Sequence, residues 1–185
     1  EVLVPFDGIS SDTAQAAMSD RFSDPDMQDA RATLYAADFG VDGYTHLIVA
    51  DCDNYAECAE RDATRRAGHG WSRFPLAMQD ANFHGINMAG VLAACGEPRH
   101  TAAYLTAFAV SISDPAVCAA ALAELDDAQG NPGVLRLVAL RTSDRSATHA
   151  VLVGGESFAA VHSYLDELFA SEAYGARLAE ELGAR

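Results

Sequence analysis

The apolar and polar positions of this chain run through the same order twice. In the first pass, residues 2–6 are a short apolar run closed by Asp7-Gly8. They predict a strand whose proline suits an edge or terminal place. Ser11-Asp12 then precedes Ala14, Ala17, Met18 and Phe22 at helical spacing, and Asp24-Pro25 stops the helix. Residues 33–39 and 45–50 read as two strands joined through the turn signal Gly40-Val-Asp-Gly43, with a helix from Tyr55 behind Asn54.

The second pass repeats that order. A strand over residues 104–112 leads to Ser113-Asp114-Pro115, a strong helix start, and Val117, Ala121 and Leu125 form its inner stripe. Strands over 134–140 and 148–153 follow, then a helix carrying Phe158, Val161, Leu165, Leu168 and Phe169 on one side, extended by Tyr174, Leu178 and Leu182. Subtracting 103 places Thr148-His149 on Thr45-His46, Phe158 on Tyr55 and Tyr174 on Trp71 without a gap. The domain reading is therefore repeat 1 over residues 1–74, a connector over 75–101 and repeat 2 over 102–185. The connector is too long for a simple tether, so it should pack, with a helix over 81–95 weakened by Gly85 and Gly90.

Both alternating sets of the second strand pair are apolar: Leu135, Leu137 and Ala139 on one side, Val138 and Leu140 on the other. One helix layer can cover only one of these faces. The economical second cover is the matching sheet of the other repeat. The expected fold class is α+β, two tandem β-α-β-β-α units with antiparallel sheets face to face and helices outside. In element order this resembles the ferredoxin-like, dimeric α+β barrel superfamily, in which antibiotic-biosynthesis-monooxygenase-type proteins pair two such units; here they would be fused. The resemblance implies a small-molecule enzyme of the monooxygenase-like type, needing no cofactor, with an apolar or aromatic compound held between the sheets. The superfamily also includes haem-degrading enzymes, isomerases, decarboxylases and proteins without known chemistry, so fold does not choose among activities.

Candidate chemistry starts with His46 and His149, matched residues that each follow a threonine at the start of the third strand. Facing an intersheet cavity, either could accept a proton near neutral pH; facing the helices, each would be a core histidine bonded to the backbone. With Asp38 near His46 and Arg141 near His149, the carboxylate should hold His46 at the higher pKa. The resemblance implies a tryptophan near the substrate, and Trp71 is the only one, although its match with Tyr174 also suits packing. Tyr35 joins Trp71 as a substrate-binding candidate. In the connector His84, Met78, Met88, Cys95, Glu97 and His100 lack a recognised ligand spacing, so no metal site is expected. Gly154-Gly155 is a weak anion-site signal, and Glu156 beside it would repel phosphate.

Charge and cysteines narrow the partners. Twenty-seven acidic against twelve basic residues give a net charge of −15, and every basic residue is arginine. Nucleic acid and anionic membrane surfaces are thereby disfavoured, leaving a small organic molecule as partner and a monomer or homodimer as assembly. Four cysteines fit either two disulfides after export or four thiols in a reducing compartment. Cys52 lies two residues before the Asn54 cap and Cys58 at the fourth helical position, close to the spacing of a hydrophobic staple, so a Cys52–Cys58 bridge can close. Cys95 and Cys118 would form the second. A start at Glu1, with no methionine and no basic-then-apolar stretch, fits either signal-peptide removal or artificial trimming; with disulfides the expected place is periplasm or medium, and without them cytoplasm. The alternative to the enzyme is a non-catalytic exported binding or structural domain.

Overall fold

The computed structural model describes residues 1–27, 31–36, 43–68, 73–85, 87–129, 133–141 and 147–171. The chain is α+β with antiparallel strand pairing, and it divides into two compact units, residues 1–89 and 90–185.

The first unit begins with β1 (Val2–Asp7), α1 (Ser11–Phe22), β2 (Arg31–Ala36), β3 (His46–Asp51) and α2 (Tyr55–Ala67). Its strands lie in the order β2-β3-β1, with Phe6 opposite His46 and Ala36 on the other side of that histidine. Alternation sends Phe6, Ile48 and Leu34 to one face, where they pack against Ala14 and Ala17 of α1. Phe74 from the short α3 (Arg73–Ala77) and the buried Met78 just beyond it complete this core. Two N-caps fix where the helices start: Ser10 Oγ accepts from the Thr13 N–H at 3.2 Å, and Asn54 Oδ1 accepts from the Glu57 N–H at 3.0 Å.

The expected helix over 81–95 is corrected to two strands, β4 (Asn82–Phe83) and β5 (Asn87–Gly96). Both pair with the free edge of β1: Asn82 lies opposite Asp7, Phe83 opposite Phe6 and Met88 opposite Val2. Gly85, at φ 89°, sits between them. The alanine and leucine content favoured a helix, but an open strand edge offered a full ladder of hydrogen bonds, and pairing overrode propensity. β5 begins in the first unit and continues beside β7 in the second.

The second unit repeats the order with β6 (Tyr104–Val110), α4 (Pro115–Gln129), β7 (Gly133–Leu140), β8 (His149–Gly155) and α5 (Phe158–Ala170). Its strands lie as β7-β8-β6, the same second-third-first arrangement. Leu135, Leu137 and Val153 form one core with Leu122 of α4 and Val161, Tyr164, Leu165 and Leu168 of α5. Val134, Arg136 and Val138, on the other face of β7, are buried as well. Arg136 is the polar exception there, and its guanidinium is solvated by the carbonyls of Cys95, Leu135 and Glu97.

Candidate functional site

The two threonine-histidine pairs occupy one ladder position in both units. Thr45 N–H donates to Phe6 O at 3.1 Å and Thr148 N–H to Val110 O at 3.1 Å. Each threonine hydroxyl meets the Nδ1 of the next residue, at 2.8 Å for His46 and 2.7 Å for His149. Both rings are buried and both lie on the helix-covered face, His46 beside Ile48 and His149 beside Val151 and Val153. In place of a backbone carbonyl, His46 Nε2 takes a helix side chain as partner, Ser11 Oγ at 3.0 Å. Its ring also stacks on Phe6 at 5.0 Å and 12°. Burial lowers the pKa of His46. Asp38, the carboxylate invoked for it, lies outside the described residues, as do Trp71 and Tyr174.

The opposite face of the first sheet carries a different set. Because Phe6, His46 and Leu34 point to α1, their neighbours Pro5, Asp7, Leu47 and Tyr35 point away from it. Tyr35 lies opposite Leu47, Leu47 opposite Pro5, and the His84 N–H donates to Pro5 O at 2.9 Å. Tyr35, Leu47, Pro5 and His84 thus form one row across the strands, spanning three strand spacings, about 14 Å. At the His84 end, Asp7 Oδ2 meets His84 Nε2 at 2.8 Å and Asp7 Oδ1 accepts from Asn82 Nδ2 at 2.8 Å. Those two hydrogen bonds, Asn82 first, lower the pKa of Asp7. Tyr35 is the substrate-binding candidate of the sequence pattern, whereas His84 carries there only the signal of a metal ligand. Asp7 and His84 are 77 residues apart and meet only because β4 pairs with β1.

Cys52 and Cys58 are joined by a disulfide with a Cα–Cα distance of 5.5 Å. The second bridge is corrected: Cys95 and Cys118 are not disulfide-bonded, and each lies half-buried against the core of the second unit. Gly154-Gly155 belongs to β8 instead of an anion-binding loop. A Cβ on Gly154 would stand 2.8 Å from Ala102 Cβ, so glycine serves close packing there. A half-open cavity of about 190 Å³ nearby has Glu97, Thr101 and Glu156 on its wall; His46, His149 and Tyr35 do not line it. Among the described residues no group of three or more histidine, cysteine or acidic side chains could hold a metal ion. Nor is any described helix long and apolar enough to cross a membrane.

No protein-family model matches the chain, and no curated protein matches it in sequence. Solved structures do match it in three dimensions. A protein titled "putative monooxygenase" from Fusobacterium nucleatum aligns over 97% of this chain and 84% of its own, at 11% identity and a TM-score of 0.63. A "putative monooxygenase" from Lactobacillus acidophilus aligns over 97% and 85%, at 10% identity and 0.60. An "anthrone oxidase-like protein" aligns over 98% and 84%, at 15% identity and 0.55. The chain shares the α+β fold of these proteins.

Proposed function

We propose that the chain is a small-molecule enzyme of the monooxygenase-like type, and that its ligand is a flat aromatic compound lying on the first unit's sheet face away from α1. The observation that carries this reading is the row Tyr35-Leu47-Pro5-His84, in which an apolar floor is flanked by an aromatic side chain and an imidazole. Such a floor with a few polar groups at its margin is the usual make-up of a ligand site. The names of the structural neighbours support the reaction class, and a tandem ferredoxin-like arrangement fits two units with one element order and one strand order. In this reading His46 and His149 serve packing, because both are buried on the helix side.

The test uses anthrone as probe. The expected result is saturable 1:1 binding by calorimetry and conversion of anthrone with O2 to anthraquinone and water, followed by chromatography. Tyr35→Ser and Leu47→Asn should each weaken binding about tenfold, the effect of removing about 1.4 kcal/mol of apolar contact. Absence of both binding and turnover in the wild type would leave the alternative, a non-catalytic exported domain, as the better reading.

A further inference from the structure

The C-terminal end of β1 is built to hold one imidazole in one orientation. Gly8, at φ 89°, turns the chain directly after Asp7, and a Cβ there would stand 2.7 Å from Asp80 O. Glycine therefore lets the 80–84 segment close on the strand, which sets Asn82 opposite Asp7. His84 is fixed at its main chain by Pro5 O and at its ring by Asp7 Oδ2. An ionised carboxylate can only accept, so His84 Nε2 carries the hydrogen and the neutral ring keeps its lone pair on Nδ1. Asn82 holds the other carboxylate oxygen and prevents Asp7 from turning away. The His84 and Asp7 side chains are 38% and 29% exposed, so a ligand can reach them. Nδ1 has no protein hydrogen-bond partner among the described residues.

His46 is the opposite case, buried with both ring nitrogens engaged. Register also makes the Asp7 site unique to one unit. Val110 takes the place of Phe6 in the second unit, so Ser111 takes that of Asp7. Among the described residues the charged group hydrogen-bonded to His84 is Asp7 from β1; Asn82 from β4 is neutral.

We propose that Asp7 and His84 form a proton-accepting pair, His84 taking the proton at Nδ1 and Asp7 acting as the positioning residue, for an aromatic compound with an activated C–H bond. The proposal rests on the reading of the preceding subsection for its ligand. With anthrone, an N–H bond forms at Nδ1 as a C–H bond of the ring methylene breaks, and the released electron pair moves onto the carbonyl oxygen as an enolate. Return of a proton from the imidazolium, exchanged with solvent, regenerates anthrone, so the step needs no oxidant.

Two measurements on the whole chain test it. In the ligand-free protein, long-range 15N–1H correlation at alkaline pH should show His84 with the proton on Nε2; a dominant Nδ1–H form would overturn the pair whatever the ligand. Under argon in D2O, the wild type should speed deuterium entry into the anthrone methylene. His84→Gln should slow that exchange about 100-fold or more, the usual contribution of a general base, when both proteins are compared at saturating anthrone. Asp7→Asn should alter the pH profile of exchange, which a merely structural role would leave in place. Exchange at the wild-type rate in a folded His84→Gln variant that binds anthrone would overturn the proposal. An Nε2–H tautomer in a wild type that fails to bind anthrone would overturn the aromatic-ligand reading and, with it, the pair's assigned substrate.

Discussion

At the scale of single residues, matched positions have acquired different surroundings. Phe6 covers the ring of His46, whereas Val110 stands at that place beside His149. The consequence for His46 is linkage to pH. Burial holds its pKa below the ordinary 6.5, so as pH falls the unfolded imidazole takes up a proton first. Stability is full above that value and falls as pH drops towards the folded pKa. The melting temperature of the wild type should therefore fall relative to His46→Gln between about pH 7.5 and about pH 5. A constant difference across that range would show that His46 is not linked to folding. A second residue-scale expectation concerns Gly8, whose positive φ and contact with Asp80 O leave no room for a side chain. Gly8→Ala should lose about 1–3 kcal/mol in urea titration, and Gly43→Ala, also at positive φ but in open space, should lose less. Of the candidate site, the Thr-His pairs were legible in the sequence because repetition marks them. Asp7 and His84 were not, since neither belongs to a repeated motif and no local spacing joins residues paired through a ladder.

At the scale of elements, the first strand-helix-strand-strand-helix pass and its echo were legible from periodicity and caps alone. Asn54 shows why. A cap, an acidic residue at the third helical position and a cysteine on either side make one local device, and local devices survive in sequence. The Asn54 side chain holds the Glu57 N–H, Glu57 Oε2 accepts from the Asp53 N–H at 2.6 Å, and Glu57 also pairs with Arg61. The Cys52–Cys58 bridge closes around this turn. Asn54→Ala should cost about 1 kcal/mol. Replacing both cysteines by serine should cost about 2 kcal/mol, the loop-entropy value for a ring this short. Both are read from urea midpoints, and intact mass before and after reduction checks the bridge. A double-serine variant as stable as the wild type would mean that the unfolded chain is already ordered there. The connector was illegible for the converse reason: β5 is specified by a distant edge, Val2 and Leu3 of β1, and its own alanines point elsewhere.

At the scale of the whole molecule, charge decides what can approach. Twenty-seven acidic and twelve basic residues leave −15, and the described ion pairs of α2, Arg61 with Glu57 and Arg66 with Asp62, neutralise only local spots. The summed field repels anions over about a Debye length, roughly 10 Å at 0.1 M salt. A neutral aromatic compound meets no such barrier, since its binding follows the area of apolar contact. The Asp7 carboxylate, ionised beside the proposed ligand, adds a local negative charge of the same sign. An anionic analogue should therefore bind more weakly than its neutral parent at low salt and recover as salt screens the field. Anthraquinone-2-sulfonate and anthraquinone make the comparison at matched ring size. Calorimetry between about 20 mM and about 0.5 M NaCl should show the sulfonate's affinity rising while the neutral compound changes little. Parallel salt responses of the two compounds would place the ligand beyond the reach of the acidic surface and of Asp7 alike.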